Sequence, residues 1–246
     1  VLVDDNTEKF CLDVFKKIIN KEISIIKISS GEEFKNLGTV TKIWNEMTTQ
    51  NLDRKSLLIN LGGGVITDMG GFAANTFKRG IDFINIPTTL LSMVDASVGS
   101  KTGINFNNLK NQIGTFADPK LVVIDEQYLE TLSEREVKSG YAEIFKHSLI
   151  SASIFNLLLE NHQLYYNEEI INNSIQIKNK IVSNDKYEQN TRKNLNFGHT
   201  IGHALESYFL NKENKLTHGE AIAIGMICES FISVSYTHLT LPTIPG

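Results

Sequence analysis

The chain has 246 residues, of which 41% are hydrophobic and 21% are charged, and its formal net charge is −4 at pH 7. This composition is sufficient for a folded core in one or two domains, and no run of about 18 apolar residues predicts a membrane-spanning helix. The first residues carry no signal-peptide pattern, and the two cysteines, Cys11 and Cys228, are far apart. These features predict a cytoplasmic protein with free thiols and no membrane partner.

The first half of the chain alternates apolar runs with helical patterns. The runs typical of strands buried on both faces are Ile23–Ile28, Ser56–Leu61, Phe83–Ile86 and Leu121–Asp125. The segments Thr7–Asn20 and Phe34–Gln50 have helical spacing. This alternation predicts a doubly wound, Rossmann-like parallel α/β domain over residues 1–127.

After residue 127 the strand signal fades, and apolar spacing predicts a mostly α domain over residues 128–233. The predicted helices are Ser133–Ile150, Ile154–His162, Ile170–Asn184, Thr200–Phe209 and Gly219–Ser233. We expect a ligand to bind in the cleft between the two domains, because pockets form preferentially there.

A glycine-rich turn follows the second predicted strand. Gly62, Gly63 and Gly64 stand between the strand and the start of a helix. Glycines let the backbone approach a pyrophosphate, and the helix N-terminus offers free N–H groups. The spacing differs from the G-x-G-x-x-G fingerprint. The turn therefore favours a dinucleotide site, and a plain tight turn is the alternative.

A cationic stretch lies between Val98 and Thr115, where there are two lysines, Lys101 and Lys110, and no acidic residue. A solvated loop would be expected to mix its charges. On an acidic chain, a local cationic patch predicts a small anionic ligand rather than a nucleic acid.

Three histidines and a glutamate have spacing that suits a metal ion. His199 and His203 are four residues apart on a predicted helix and so share a face, His218 follows, and Glu143 lies upstream. Such a His/His/carboxylate set with one open position is what catalytic zinc requires. The alternative is that each histidine is an ordinary core or surface residue. Spacing alone would pair His199 with His203.

Nine blocks in order resemble the 3-dehydroquinate synthases of the sugar-phosphate cyclase superfamily, from about Val1 to about Ser230. The blocks are GGGVITD, GF-x-A-A, KRGI, IPTTLL, VDASVGSKTG, KNQIGTF, TLSEREVKSGYAEIFKH, LNFGHTIGHALE and HGEAIAIGM. The resemblance implies an NAD- and metal-dependent lyase of aromatic amino-acid biosynthesis. Such an enzyme converts 3-deoxy-D-arabino-heptulosonate 7-phosphate to 3-dehydroquinate and phosphate by transient oxidation, phosphate elimination, re-reduction and aldol closure.

The resemblance also assigns roles to residues. It gives Glu143, His199 and His218 as ligands of zinc or cobalt, and it places His203 beside the metal as a substrate or proton-transfer residue. The implied catalytic residues are Lys101, Asn111, Lys146, Arg192 and His203. The implied substrate-binding residues are Asp95, Lys101, Asn111, Lys146, Lys178, Arg192, Asn196 and His203.

The implied NAD-binding residues are Asp5, Glu32, Lys35, Gly63, Gly64, Asp68, Thr88, Thr89, Lys101 and Lys110, with Tyr128–Thr131 as a further segment. Thr67 and Ser100 stand where many family members have glycine. Three other functions stay open: another sugar-phosphate cyclase, a metal-dependent polyol dehydrogenase of the same broad fold, and a non-catalytic binding fragment. A homodimer is expected for the full-length form.

The resemblance ends near Ser230–Ser233. We therefore expect residues 234–246 to be a foreign tail, in which His238 has no role. We also expect the chain to lack the family's last helices and its first strand or two. On this expectation the apolar face of Ala221–Ile232 is exposed and the isolated chain is poorly soluble or inactive.

Overall fold

The computed structural model describes residues 1–19, 21–107, 109–151, 155, 158, 167–209 and 212–238. Residues 236–238 are described by their backbone alone. The predicted helix Ile154–His162 lies outside the described residues except for Phe155 and Leu158. Most of the expected tail, residues 239–246, lies outside them as well.

A parallel five-stranded sheet forms the centre of the first half, with the order β2-β1-β3-β4-β7. Its strands are β1 (Leu2–Asp4), β2 (Ile26–Ile28), β3 (Leu57–Gly62), β4 (Asp82–Pro87) and β7 (Leu121–Val122). The chain passes from β1 to β2 on one side and then crosses to β3 on the other. Sheets of this type bind ligands where the strand order reverses, at the carboxyl ends. The glycine turn after β3 lies at that reversal.

Helices cover the sheet and make up the second half of the chain. They are α1 (Asp5–Phe10), α2 (Leu12–Ile18), α3 (Leu37–Thr49), α4 (Gly64–Thr76), α5 (Glu134–Ile150), α6 (Glu168–Asn184), α7 (His199–Phe209) and α8 (His218–His238). This α/β part followed by a helical part confirms the predicted fold class.

Two of the predicted helices differ from the observed ones. The predicted helix Thr7–Asn20 is two helices, because α1 ends at Phe10 and α2 begins at Leu12, with Cys11 between them. Asp4 caps the start of α1 by accepting hydrogen bonds from Asn6 and Thr7. The last helix continues beyond the predicted Ser233 to His238.

The cationic stretch, for which the sequence predicted no secondary structure, forms an antiparallel hairpin. Strand β5 (Lys101–Phe106) pairs with β6 (Leu109–Phe116). Gly103 and Gly114 face each other so closely that a Cβ on Gly114 would lie 2.2 Å from the carbonyl oxygen of Thr102. These two glycines allow the strands to pair at this point.

One hydrophobic cluster joins the two halves. It contains Val3, Leu61 and Leu90 from the sheet side and Ile144 and Ile177 from the helical side. The predicted boundary at residues 127 and 128 therefore crosses a shared core.

The outer face of α8 is apolar and exposed. Ile227 is 71% exposed and Phe231 is 74% exposed, and Ile224, Ile232 and Val234 are exposed as well. Within the described part of the chain, no helix is long and apolar enough to cross a membrane.

Candidate active site

Three helices bring Glu143, His199 and His218 together. Glu143 Oε1 lies 3.8 Å from His199 Nε2 and 3.4 Å from His218 Nε2. One candidate ligand atom from each residue lies within 4.8 Å of the other two. The Glu143 side chain is fully buried. Glu143 comes from α5, His199 from the start of α7 and His218 from the start of α8.

Burial and the neighbouring charged groups shift the pKa values of all three residues in this cluster. Burial raises the pKa of Glu143, but the Lys146 ammonium and the two histidines outweigh burial and hold that pKa well below its usual value. Burial, with the neighbouring Lys146, lowers the pKa of His199 to about 4, so this imidazole is neutral at pH 7. Burial also lowers the pKa of His218, but Glu143 and Glu206 on either side of its ring raise it to about 9.

One buried oxygen without a hydrogen-bond partner indicates whether a metal ion fits here. Within the described residues, Glu143 Oε1 accepts no hydrogen bond although it is buried, while Lys146 donates to the other oxygen, Oε2. A buried carboxylate oxygen that accepts no hydrogen bond is a poor arrangement for a protein alone. It is a good one for a divalent ion with nitrogen and oxygen ligands.

His203 lies beside this cluster. Its ring centroid is 5.1 Å from that of His199 and 6.3 Å from that of His218, and nearly half of its side chain is exposed. It is therefore accessible to a ligand that binds next to the cluster, and its assigned substrate or proton-transfer role stays a prediction.

Two buried lysines and an aspartate lie against the cluster. Lys146 is 1% exposed, and Lys178 donates to the carboxylate and the carbonyl oxygen of Asp95, each at 2.5 Å. Burial raises the pKa of Asp95, but the Lys178 ammonium outweighs it and lowers the pKa to about 2. An ionised Asp95 and two ammonium groups thus lie within one site.

The other predicted substrate residues line a second edge of the site. Arg192 is buried and donates to the carbonyl oxygens of Lys186 and Gly99, the latter at 2.7 Å. Lys101 and Asn196 both contact the carboxylate of Glu188. Asn111 lies apart from these residues, because its side-chain oxygen accepts from Lys35 Nζ at 2.6 Å.

The glycine turn begins α4, with Gly63 as the N-cap. A Cβ on Gly63 would lie 3.1 Å from the Thr89 side chain, and one on Gly64 would lie 3.2 Å from Ala96. Lys35 Nζ donates to Asp68 Oδ2 at 2.6 Å. The turn and this ion pair lie at the carboxyl ends of the strands, where the sequence predicted the cofactor.

The remaining predicted cofactor residues are spread around the carboxyl ends of the strands. Asn105 donates to Glu32 Oε1 at 2.9 Å, and Lys110 Nζ lies 3.6 Å from the same oxygen. Asp5 is half exposed and pairs with Lys27. Thr88 and Tyr128 are buried.

Three polar residues near the site were missed by sequence reasoning: Glu188, Glu206 and His147. Glu206 follows His199 by seven residues, a helical spacing that places both on one face, and this spacing was the available signal. Glu188 lies in an irregular segment, and His147 looks like the end of an amphipathic helix. His147 is buried, and its Nδ1 lies 2.7 Å from Ser174 Oγ.

Family models match both halves of the chain. The 3-dehydroquinate synthase N-terminal model matches residues 25–139 and the C-terminal model matches residues 140–244. The chain belongs to the 3-dehydroquinate synthase family. It is 45% identical over 239 residues to a 3-dehydroquinate synthase from Parabacteroides distasonis, covering 95% of this chain and 68% of that protein.

Two solved structures of sugar-phosphate cyclases are similar to this fold. A 2-epi-5-epi-valiolone synthase from Streptomyces hygroscopicus subsp. jinggangensis, with NAD+ and Zn2+ bound, matches with a TM-score of 0.83 and 30% identity over 92% of this chain and 65% of that one. A 2-deoxy-scyllo-inosose synthase complexed with carbaglucose-6-phosphate, NAD+ and Co2+ matches with a TM-score of 0.80 and 30% identity, covering 96% and 67%. The chain thus spans about two thirds of the length of these relatives.

Proposed function

We propose that this protein is a 3-dehydroquinate synthase that uses NAD and a divalent metal ion, zinc or cobalt. Its substrate would be 3-deoxy-D-arabino-heptulosonate 7-phosphate and its products 3-dehydroquinate and phosphate. The family and its 45% identical relative support this activity. The NAD+ and metal ions bound by the two structural neighbours support the cofactors.

The observation that carries the proposal is the buried cluster of Glu143, His199 and His218 with Lys146 against it. A polyol dehydrogenase needs no cationic pocket, whereas a substrate with a phosphate and a carboxylate needs several donors. Lys146 and Lys178 supply two buried ammonium groups next to the candidate ligands.

The chain's own residues would hold the substrate and its charges. When bound, a divalent ion polarises a hydroxyl group, and NAD takes up and returns a hydride. Lys146 and Lys178 would lower the cost of negative charge on a departing phosphate. Asp95 is ionised and can accept a hydrogen bond from a substrate hydroxyl. The free N–H groups of Gly64 and its neighbours would bind the pyrophosphate of NAD.

Phosphate release tests this function. The purified full-length form should release phosphate from 3-deoxy-D-arabino-heptulosonate 7-phosphate with zinc and substoichiometric NAD, and no NADH should accumulate. Metal analysis should give about one ion per chain, because the cluster offers one three-ligand site. In His199→Ala both the metal content and the phosphate release should fall strongly.

Other outcomes separate the alternatives. Phosphate release only from a sugar phosphate without a carboxylate would identify another cyclase. Net NADH production from a polyol would identify a dehydrogenase. Equal metal content in the wild type and His199→Ala would refute the ligand assignment.

We also propose that the full-length form is a homodimer in the cytoplasm. The relatives support a small-molecule enzyme, and light scattering of the purified full-length form would give its oligomeric state. A monomeric mass across the working concentration range would contradict the dimer.

A further inference from the structure

Glu206 is a buried carboxylate on the side of His218 that faces away from Glu143. Its Oε1 lies 3.2 Å from His218 Nδ1, and its side chain is only 5% exposed. The opposite ring nitrogen, Nε2, lies 3.4 Å from Glu143 Oε1. The imidazole of His218 is therefore held between two carboxylates, one at each nitrogen.

The two nitrogens of His218 differ in their contacts, because Nδ1 is hydrogen-bonded to Glu206 whereas Glu143 Oε1, which faces Nε2, has no hydrogen-bond partner. The ring nitrogen that is hydrogen-bonded to the carboxylate carries the hydrogen and donates it. With the hydrogen on Nδ1, a neutral ring presents the lone pair of Nε2 toward Glu143 and His199. Histidine ligands of metal ions commonly donate their second ring N–H to a carboxylate in this way, which fixes the orientation of the ring and raises its basicity.

Glu206 is itself held in place. Lys110 Nζ donates to the same Oε1 at 2.7 Å, so a cation fixes the oxygen that faces His218. Lys110 comes from β6, and it also lies 3.6 Å from Glu32 Oε1. The chain of contacts thus runs from the hairpin through Glu206 to His218.

Glu206 could instead belong to a metal site of its own. One candidate ligand atom from each of His203, Glu206 and His218 also lies within 4.8 Å of the other two. However, Lys110 occupies Oε1, and its positive charge disfavours a second cation beside it. The free oxygen of Glu206, Oε2, lies 3.9 Å from His203 Nε2, so it is not the oxygen that faces His218. In Glu143 the free oxygen, Oε1, is the one that faces both His199 and His218, because its lysine contacts Oε2.

We propose that Glu206 is a positioning residue, which orients His218 so that Nε2 binds the metal and links this ligand to the β5–β6 hairpin through Lys110. The proposal rests on the proposed function, because it takes Glu143, His199 and His218 as the metal ligands. Glu206 contacts neither the ion nor the substrate in this role.

The experiment compares zinc affinity between the wild type, Glu206→Gln and Glu206→Ala, by competition with a chelator of known affinity. Glutamine keeps the shape and an acceptor oxygen but loses the charge, so we expect an affinity about 10- to 100-fold weaker. Alanine also removes the acceptor and should weaken binding at least as much. All three proteins should bind one ion per chain.

Glu134→Gln is the matched control, because it makes the same change on an exposed residue of α5. Its zinc affinity should equal that of the wild type.

Two spectroscopic readouts do not depend on turnover. The visible spectrum of the cobalt-loaded protein should change in Glu206→Gln, because the geometry of a ligand changes. In the zinc-loaded wild type, nitrogen NMR should show the metal on Nε2 of His218 and a hydrogen on Nδ1. The NMR result tests the proposal even if the variants do not fold.

The outcomes separate the two proposals. A wild type without a bound ion would defeat the proposed metal site. If the wild type binds one ion and both Glu206→Gln and Glu206→Ala bind zinc with the wild-type affinity, only the role of Glu206 is overturned. Metal on Nδ1 of His218, or a second ion that is lost in the Glu206 variants, would also overturn it.

Discussion

Lys146 shows how one buried side chain serves both the candidate metal ligands and the substrate pocket. Its ammonium group is 1% exposed and contacts the Glu143 carboxylate. An ammonium in a desolvated site stabilises negative charge much more strongly than one in water. The position of Lys146, one helical turn after Glu143 on α5, follows from the sequence spacing alone.

We expect Lys146→Met to lower the rate of phosphate release by about 100- to 1000-fold, since it removes one preorganised donor. NAD affinity should stay near the wild-type value, because the glycine turn does not contact this residue. Steady-state kinetics and NAD titration measure the two effects. Lys138→Met is the control, because Lys138 is an exposed lysine of the same helix. Full turnover in Lys146→Met, or a selective loss of NAD binding, would show that the role is misassigned.

Individual residues differ in how well the sequence predicts them. The motif of Glu143, His199 and His218 predicted a cluster, and these residues do lie together. Asn111 was grouped with the substrate residues, but the backbone of β6 directs it to Lys35, at a positive φ of 53°. The helical spacing of Glu206 from His199 is a local signal, but its contact with Lys110 is not, because Lys110 is 96 residues away.

At the scale of elements, periodicity predicted the long helices and four of the five strands of the parallel sheet, but β1 was not among the predicted strands. The hairpin was missed because β6 has no apolar alternation and most of its residues are polar. Helices α1 and α2 were merged because Cys11 is apolar and continues the pattern, although the backbone breaks there. Tertiary contacts set both features, and periodicity does not report them.

Close packing between α5 and α8 sets the position of the candidate metal ligands. Gly219 N donates to Ser139 Oγ at 2.9 Å, and a Cβ on Gly219 would lie 2.2 Å from the Ser139 carbonyl oxygen. Only a glycine permits this approach. The contact holds His218 on α8 next to Glu143 on α5.

Gly219→Ala should therefore force α8 away from α5, which separates His218 from Glu143. We expect a loss of about 1–3 kcal/mol in the free energy of unfolding, the usual range for overpacking, and weaker zinc binding. Urea unfolding and chelator competition measure these changes. Gly38→Ala provides the control on α3, where a Cβ would meet only the Asn36 side chain within 4 Å. Wild-type zinc affinity in Gly219→Ala would show that the contact does not position His218.

At the scale of the whole molecule, the two predicted domains share their core and their charges. The cluster that contains Leu61 and Leu90 also contains Ile144 and Ile177. Asp95 pairs with Lys178 across the same boundary, and Arg192 donates to Gly99. The sequence predicted the change from α/β to helical structure, but composition does not reveal whether the two parts pack as one unit.

A shared core predicts that the two parts unfold together. Trp44 is the only tryptophan, and it lies on α3 in the first part, where its ring packs near Phe72. Its fluorescence reports the α/β part, whereas circular dichroism at the helix band is weighted toward the helical part. We expect the two signals to give one coincident transition in urea, because one hydrophobic cluster spans both parts. A second cluster, which Trp44 packs against, lies within the first part.

The variant Lys178→Met gives a second test of whether the two parts unfold together. It leaves the carboxylate of Asp95 without its ammonium partner at the boundary, and breaking such a pair on one side is strongly destabilising, by about 3–5 kcal/mol for a fully buried pair. If the parts form one cooperative unit, both signals shift to lower urea by the same amount. A shift of one signal alone, or two separate transitions in the wild type, would show that each part is stable by itself and that the boundary at residues 127 and 128 separates independent folding units.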